Sequence, residues 1–197
     1  MPQIRTLGAA SALVAAGVMV LSSVAVAHPG PHFGPAEFDN VWIDTEGLDM
    51  YEAPNDSRDK IVGLAGDDEL RAGDKRDLVL GNRGDDTIRG GAGSDKIVGG
   101  IGDDRLLGGS QGDKVLGGPG ADRINGGAGR DVIKAGRGDD LINARDGQRD
   151  IISCGKGKDK VRADHRDRIA RDCEVVRRAA PAPDPETETE TETETTS

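Results

Sequence analysis

The sequence has almost no aromatic residues. Its 197 residues include two phenylalanines, one tryptophan and one tyrosine, all of which lie at or before Tyr51. Aromatic side chains supply much of the buried area of ordinary globular cores. This scarcity excludes a large globular core, and the remaining chain must bury its apolar surface by stacking similar units.

Long apolar runs are also scarce. One run of apolar and small residues, Leu7 to Leu21, follows Arg5 and precedes the A-x-A sequence Ala25–Ala27. This pattern predicts a signal peptide over residues 1–27, with cleavage after Ala27. A membrane anchor is the alternative, but a spanning helix needs about 20 apolar residues. We therefore expect a secreted, extracellular protein whose mature chain has no membrane span.

Catalytic signatures are missing from the sequence. It has no nucleophile–histidine–acid set, no P-loop and no zinc-binding spacing such as H-E-x-x-H. A basic stripe interleaved with aromatic residues is also absent, so nucleic acid is not an expected partner. One enzymatic alternative remains, in which a new amino terminus at His28 joins His32 in binding copper; the other interpretation is a mobile terminus. Since no substrate-binding surface accompanies these histidines, we expect the chain not to be an enzyme.

Glycine, by contrast, occurs 30 times and follows a period. From Gly63 to Asn143 a nine-residue unit repeats without a gap, as in GGAGSDKIV (Gly90–Val98) and GGPGADRIN (Gly117–Asn125). The sixth position is always aspartate and the eighth is always aliphatic. The aliphatic residues are Leu70, Val79, Ile88, Ile97, Leu106, Val115, Ile124, Ile133 and Ile142.

A fixed period of this kind predicts a solenoid. Glycine is costly inside helices and strands, so G-G-x-G-x-D is expected to form a turn, and the last three residues a very short strand. Two units then complete one coil of 18 residues, with odd-numbered turns on one edge and even-numbered turns on the other. Successive coils would lie about 4.8 Å apart, around a thin core made only of the aliphatic residues.

Stacked turns bring aspartates close together. At about 5 Å, the charges of Asp86 and Asp104 would repel by about 3 kcal/mol at an effective dielectric constant near 20. A hard divalent cation removes this problem, and Ca²⁺ accepts carboxylate and carbonyl oxygens in a more flexible geometry than Mg²⁺ does. The predicted ligands are Asp68, Asp77, Asp86, Asp95, Asp104, Asp113, Asp122, Asp131, Asp140 and Asp159. The predicted turn-forming glycines are Gly66, Gly84, Gly93, Gly102, Gly120, Gly129 and Gly138.

The array G-G-x-G-x-D-x-U-x, where U is the aliphatic residue, resembles the RTX, or haemolysin-type, calcium-binding repeat. The resemblance is close over residues 63–143 and looser over 144–176. It implies an all-β, calcium-bound parallel β-roll that folds as calcium binds between stacked turns, with disordered termini. A glycine-rich linker is the alternative, but linkers do not hold aspartate and an aliphatic residue in register. RTX toxins and proteases typically use a C-terminal export signal, so an N-terminal signal argues against a toxin-like role.

The remaining segments are assigned around the repeats. Residues 28–60 form an N-terminal lead, in which Val41–Glu52 is expected to cap the first coil, and Asp59 and Ile61 suggest a degenerate unit. Residues 61–176 form the β-roll, whose register slips by one residue to Asp150 and resumes at Asp159. Residues 177–197 form an acidic, Thr/Glu-rich tail that is predicted to be disordered, either as a solvated spacer or as a calcium-concentrating brush.

Two cysteines, Cys154 and Cys173, are the only ones in the chain. Export predicts that they are oxidised, with two free thiols as the alternative. Their 19-residue separation is one coil plus one residue, which stacks them within the Cα distance that a disulfide tolerates. We therefore predict a disulfide that closes the C-terminal coil.

The two edges of the solenoid differ in sequence. Position four is glycine in every odd unit, whereas two even units have Lys75 and Gln111 there. If this position requires a positive φ, the side chains are strained, and the odd edge should bind calcium better.

The sequence therefore predicts a secreted calcium-binding β-roll with a structural or surface-associated role. An extracellular, calcium-dependent adhesion or ligand-binding module is the alternative, with a cell-surface or matrix component as partner. Two Arg-Gly-Asp triplets, Arg83–Asp85 and Arg137–Asp139, match an integrin-binding tripeptide. The repeat itself already favours these residues.

Overall fold

The computed structural model describes residues 40–43, 47, 50–53 and 56–178. The predicted signal peptide, His28, His32 and the chain from residue 179 onward lie outside the described residues. No helix in the described part of the chain is long and apolar enough to cross a membrane.

The described residues form strands joined by short turns. The first eight are β1 (Asn40–Ile43), β2 (Met50–Glu52), β3 (Asp59–Ala65), β4 (Glu69–Gly73), β5 (Leu78–Arg83), β6 (Thr87–Ala92), β7 (Lys96–Ile101) and β8 (Arg105–Ser110). The others are β9 (Lys114–Pro119), β10 (Arg123–Ala128), β11 (Val132–Arg137), β12 (Leu141–Ala144), β13 (Ile151–Lys156), β14 (Lys160–Ala163), β15 (Arg168–Ile169) and β16 (Val175–Arg178).

Odd-numbered and even-numbered strands form two separate 8-stranded sheets, called sheet A and sheet B here. Every pairing within the sheets is parallel, and each strand pairs with the strand two further along the chain, as in β7 with β9 and β8 with β10. This is the predicted parallel β-roll, in which the chain passes alternately through the two sheets.

The register of the pairs follows the predicted 18-residue coil. Lys96 lies beside Lys114 in sheet A, and Arg105 lies beside Arg123 in sheet B. After Ala144 the spacing becomes 19 residues, since Val132 pairs with Ile151. The extra residue is therefore accommodated in the segment before Asp150, where the sequence predicted the slip.

The strands are longer than predicted. Most full repeats form strands of six residues, such as KIVGGI in β7, so the first residues of each unit belong to a strand rather than to a turn. The expectation of three-residue strands is wrong because these glycines pair with glycines of the next coil, as Gly109 does with Gly127. Such pairing satisfies backbone groups and outweighs the modest entropic cost of glycine in a strand.

Three positions of each unit face the interior rather than one. The aliphatic residues at position eight are at most 2% exposed, and the glycine or alanine at position one is buried as well. The aspartates at position six are also at most 2% exposed. The expectation of a purely aliphatic core is therefore wrong: a column of carboxylates lies inside each edge of the roll.

Both ends of the roll extend the repeats. At the N-terminal end β1 pairs with β3 and β2 pairs with β4, so residues of the Val41–Glu52 segment complete an additional coil. At the other end β16 pairs with β14 and continues to Arg178. The predicted disulfide is confirmed: Cys154 and Cys173 are bonded, with their Cα atoms 5.2 Å apart.

A ladder of buried aspartates as a candidate calcium site

The position-six aspartates connect successive coils through hydrogen bonds. Along the odd edge, the backbone N–H of each aspartate donates to Oδ1 of the aspartate one coil later in the chain. The bonds are 2.9 Å from Asp68 to Asp86, from Asp86 to Asp104, from Asp104 to Asp122 and from Asp140 to Asp159, and 2.8 Å from Asp122 to Asp140. Each carboxylate therefore uses one oxygen to hold the preceding turn.

The even edge has the same ladder. The N–H groups of Asp59, Asp77, Asp95, Asp113 and Asp131 donate to Oδ1 of Asp77, Asp95, Asp113, Asp131 and Asp150, at 2.6 to 2.9 Å. The altered turns at Lys75 and Gln111 do not interrupt it.

The second carboxylate oxygen is different. In ten of the ladder aspartates Oδ2 is buried and accepts no hydrogen bond. A buried, unpaired polar atom is costly, and more so when it carries charge. The atoms are Oδ2 of Asp77, Asp86, Asp95, Asp104, Asp113, Asp122, Asp131, Asp140, Asp150 and Asp159.

The unpaired oxygens face the position-one glycines. A Cβ added to Gly99 would collide with Oδ2 of Asp104 and would lie 3.0 Å from the carbonyl oxygen of Gly117 in the next coil. The absent side chain therefore leaves a space bordered by a carboxylate oxygen of one coil and a carbonyl oxygen of the next. Ala72 and Ala135 are buried exceptions, at which a methyl group occupies this position.

The available donors are hard oxygen atoms, which suit Ca²⁺. In the part of the chain that the structure describes, no three histidine, cysteine, aspartate or glutamate side chains converge on one point. Backbone carbonyls of the turns would have to complete a coordination shell, as glycine-rich turns allow. The residues therefore fit a calcium ion held by carboxylate and backbone carbonyl oxygens. They do not fit a metal ion bound by side chains alone.

Burial changes the titration of these carboxyl groups. Loss of solvation raises the pKa of Asp77, Asp104, Asp113, Asp140 and Asp150 to about 7, although the N–H donor on each carboxylate opposes the rise. The same cause raises the pKa of Asp86, Asp95 and Asp122 to about 6. It also raises the pKa of Asp131 and of Asp159. The charged ladder is thus disfavoured in the absence of a cation.

The odd edge carries a second, exposed ladder that the sequence pattern does not predict. Oδ1 of Asp67 accepts from the N–H of Asp85, Oδ1 of Asp85 from Asp103, and Oδ1 of Asp103 from Ala121, at 2.7 to 2.8 Å. These position-five side chains reach towards the following coil, whereas the position-six side chains reach towards the preceding one. The alternation of acids at position five was visible in the sequence, but the direction of the side chains was not.

The positive φ predicted for position four of the repeat is found in most units but not in all of them. The predicted turn-forming glycines all have positive φ, between 121° for Gly84 and 147° for Gly120, and Gln111 has a φ of 75°. Lys75 is not among the residues with positive φ, so the expected strain at Lys75 is wrong. That turn adopts another local conformation and still keeps the aspartate ladder, because Asp77 retains its place in it.

The ladder extends beyond the predicted ligands. Asp59 and Asp150 are both fully buried members. Strict continuation of the nine-residue register includes Asp59, whereas Asp150 is found only when the one-residue slip is allowed for. At the C-terminal end the acceptors are Oδ1 of Asp167, 3.0 Å from the N–H of Asp150, and Oε2 of Glu174, 2.9 Å from the N–H of Asp159. Those two lie in irregular sequence, where no spacing could identify them.

Comparison with known families agrees with this geometry. Residues 55–87, 80–115 and 116–151 match the RTX calcium-binding nonapeptide repeat. The chain is an RTX-repeat protein. No curated protein and no solved structure matches it. In this RTX-repeat protein the matched segments include every predicted aspartate ligand except Asp159, which the structure places in the same ladder.

Proposed function

We propose that this RTX-repeat protein is a secreted calcium-binding protein whose folding is coupled to calcium. The observation that carries the proposal is the column of buried Oδ2 atoms without hydrogen-bond partners along both edges of the roll. The Oδ2 atoms of one coil lie close to backbone carbonyl oxygens of the next coil. An ion bound between two coils would therefore link one turn to the next.

The proposed ligands are the position-six aspartates, together with Asp150. A bound calcium ion would supply the positive charge that offsets the repulsion and lost solvation of these carboxylates. The chain's own part is to hold each carboxylate by the N–H to Oδ1 bond, so that Oδ2 has a fixed direction before an ion arrives.

Coupling between binding and folding follows from the same arrangement. The ligands of one site come from residues 18 or 19 apart, and no such site exists in an unfolded chain. Binding free energy then becomes folding free energy. We expect dissociation constants of about 10⁻⁴–10⁻³ M, as is usual for extracellular calcium modules.

The cellular part of the proposal depends on the sequence. The signal-peptide pattern of residues 1–27 favours export, and a disulfide between Cys154 and Cys173 suits an oxidising compartment. We propose a structural or surface-associated role without enzymatic activity.

A binding module for a cell-surface or matrix component is the second candidate. The outer face of sheet B has a shallow groove of about 170 Å³ in which Arg105 and Arg123 lie beside Leu107, Leu141 and Asn143. Such a mixture of cationic, apolar and amide groups suits an extracellular ligand. Pull-downs from cell-wall and culture fractions with the natural protein and an Arg105→Gln/Arg123→Gln variant test this: equal recoveries would reject the groove as a binding site.

Circular dichroism during a calcium titration tests the main proposal. In chelator, the mature protein should show little β-type signal, and calcium should produce it at millimolar concentrations or below, whereas Mg²⁺ should not. A spectrum in chelator that already matches the calcium-loaded one would refute calcium-coupled folding.

A further inference from the structure

Three arginines lie one above another on the even edge of the roll. Arg130, Arg149 and Arg166 each immediately precede a ladder aspartate, namely Asp131, Asp150 and Asp167. The ladder bonds from Asp131 to Asp150 and from Asp150 to Asp167, at 2.9 and 3.0 Å, hold these turns against each other. The three arginines, called the arginine stack here, therefore occupy three successive turns, and all are exposed.

The arginine stack borders open surface. Arg130, Arg149 and Arg166 line a groove of about 430 Å³ together with Gly147 and Gln148. A neighbouring groove of about 290 Å³ adds Arg168 and the half-exposed Ile151.

The guanidinium groups of the stack are not paired with carboxylates of the described residues, although Asp146 lies close by and accepts from the N–H of Gly129 at 2.7 Å. None of the three guanidinium groups makes an ion pair or a side-chain hydrogen bond there, whereas Arg71 and Arg89 on sheet B both bind Glu69. Like charges on adjacent turns repel each other, so the stack favours an anionic occupant.

The described chain ends beside the stack. β16 stops at Arg178, whose guanidinium donates to the carbonyl oxygens of Asp164 and Asp167 at 2.9 and 3.2 Å. These two residues flank Arg166, the outermost member of the stack. The chain therefore leaves the roll at the same edge and the same end at which the arginines lie.

The sequence after this point carries the opposite charge. It contains Asp184, Glu186, Glu188, Glu190, Glu192 and Glu194 and no lysine or arginine. Asp184 comes six residues after Arg178, so up to about 20 Å of extended chain separates them. The stack covers only about 10 Å, at about 4.8 Å for each coil, so every one of its arginines is within reach.

We propose that the acidic tail, Asp184–Glu194, binds to the arginine stack of its own chain. In an extended Thr-Glu alternation successive carboxylates lie on one side, so one side of the tail could face the three guanidinium groups. Arginine binds carboxylate with two parallel hydrogen bonds, which lysine cannot reproduce. Attachment to Arg178 keeps the tail at a high effective concentration, so individually weak pairs suffice.

NMR of the arginine Nε–Hε groups tests the proposal in the full mature chain with calcium. The comparison is with a variant in which Asp184 is replaced by Asn and the five tail glutamates by Gln. We expect the signals of Arg130, Arg149 and Arg166 to shift in this variant, while those of Arg105 and Arg123 on sheet B stay unchanged. In the natural chain, salt at about 0.5 M should move the stack signals towards the variant positions, because it screens exposed pairs.

Several results would overturn the proposal. One is that the signals of the arginine stack do not change when the tail is neutralised, and another is that the signals of Arg105 and Arg123 shift equally. A third is that the shifts depend on protein concentration, which would indicate contacts between chains. A stack that responds only to an added sulfated polysaccharide would assign the surface to an external ligand instead. Because the tail changes touch no residue of the roll, an unchanged circular dichroism spectrum serves as the folding control.

Discussion

The backbone N–H of Asp86 donates a 2.9 Å hydrogen bond to Oδ1 of Asp104, a residue one coil further along the chain. The same carboxylate leaves Oδ2 buried and without a hydrogen bond. One side chain therefore joins two coils with one oxygen and leaves the other oxygen available as a metal ligand. These two roles can be separated by substitution.

Asn and Ala at position 104 should have different effects. Asp104→Asn keeps an oxygen that can accept from Asp86 but removes the charge, so calcium affinity should fall while the calcium-free roll becomes easier to fold. Asp104→Ala also leaves the N–H of Asp86 without its acceptor, at a further cost of about 1–3 kcal/mol. Urea unfolding with and without calcium measures both effects.

The exposed Asp74 supplies the matched control, since it lies outside the ladder. Asp74→Asn removes the same charge and should change neither calcium affinity nor stability appreciably. If Asp74→Asn and Asp104→Asn weaken calcium binding equally, general charge rather than the ladder governs the affinity.

The stability of the calcium-free protein should increase on acidification. Burial raises the pKa of Asp104 and Asp113 to about 7, whereas an unfolded aspartate titrates near 3.9. The resulting contribution to stability is complete below the unfolded pKa and is lost as pH rises through the folded pKa. Calcium-depleted protein should therefore gain β structure between about pH 7 and pH 4, as monitored by circular dichroism.

Calcium affinity should show the opposite dependence. Protons compete for the carboxylates, so the affinity should rise as pH increases through the range of about 6 to 7.

Calcium-free protein that becomes less folded on acidification from pH 7 to pH 5 would contradict the raised pKa values.

Glycine substitutions should distinguish the two unusual position-four residues. Gln111 has a φ of 75°, so Gln111→Gly should stabilise the calcium-loaded roll by about 1 kcal/mol. Lys75 has no positive φ, so Lys75→Gly should instead destabilise it by about 0.5–1 kcal/mol, because glycine loses more entropy on folding. Thermal unfolding of both variants in calcium decides this, and stabilisation by Lys75→Gly would show that the lysine is strained after all.

The disulfide should stabilise the C-terminal end of the roll. Joining Cys154 to Cys173 closes a loop whose cross-link contributes about 3 kcal/mol in the chain-entropy description. Reduction should lower the free energy of unfolding in calcium by about this amount, and a Cys154→Ser/Cys173→Ser variant should not respond to reductant. Alkylation of both thiols in the unreduced native protein would contradict the bond.

The period of the sequence was enough to predict much of this fold. An aspartate and an aliphatic residue, such as Asp104 and Leu106, recur at the same two positions of every unit. This spacing predicted the 18-residue coil, the two edges and the parallel pairing, because identical units can only bury their aliphatic residues against each other. The two cysteines and the slip before Asp150 could likewise be placed from register alone.

Other features depend on directions that spacing does not encode. Asp104 lies directly before β8 and two residues before Leu106, and the side chains of both residues are buried, which puts the carboxylate in the interior. The repeat pattern predicts a turn that ends at this aspartate, and a turn does not specify whether its last side chain points inward. The opposed directions of Asp103 and Asp104, and the terminal acceptors Asp167 and Glu174, depend on the folded coordinates.

The most direct test of the ladder as a calcium site is a crystal structure of the calcium-loaded protein with anomalous difference maps. We expect ions in the interior of both edges, between successive coils, with Oδ2 of position-six aspartates such as Asp86 and Asp104 among the ligands. Ions bound only at the exposed position-five carboxylates of Asp85 and Asp103, with the buried Oδ2 atoms still uncoordinated, would contradict it.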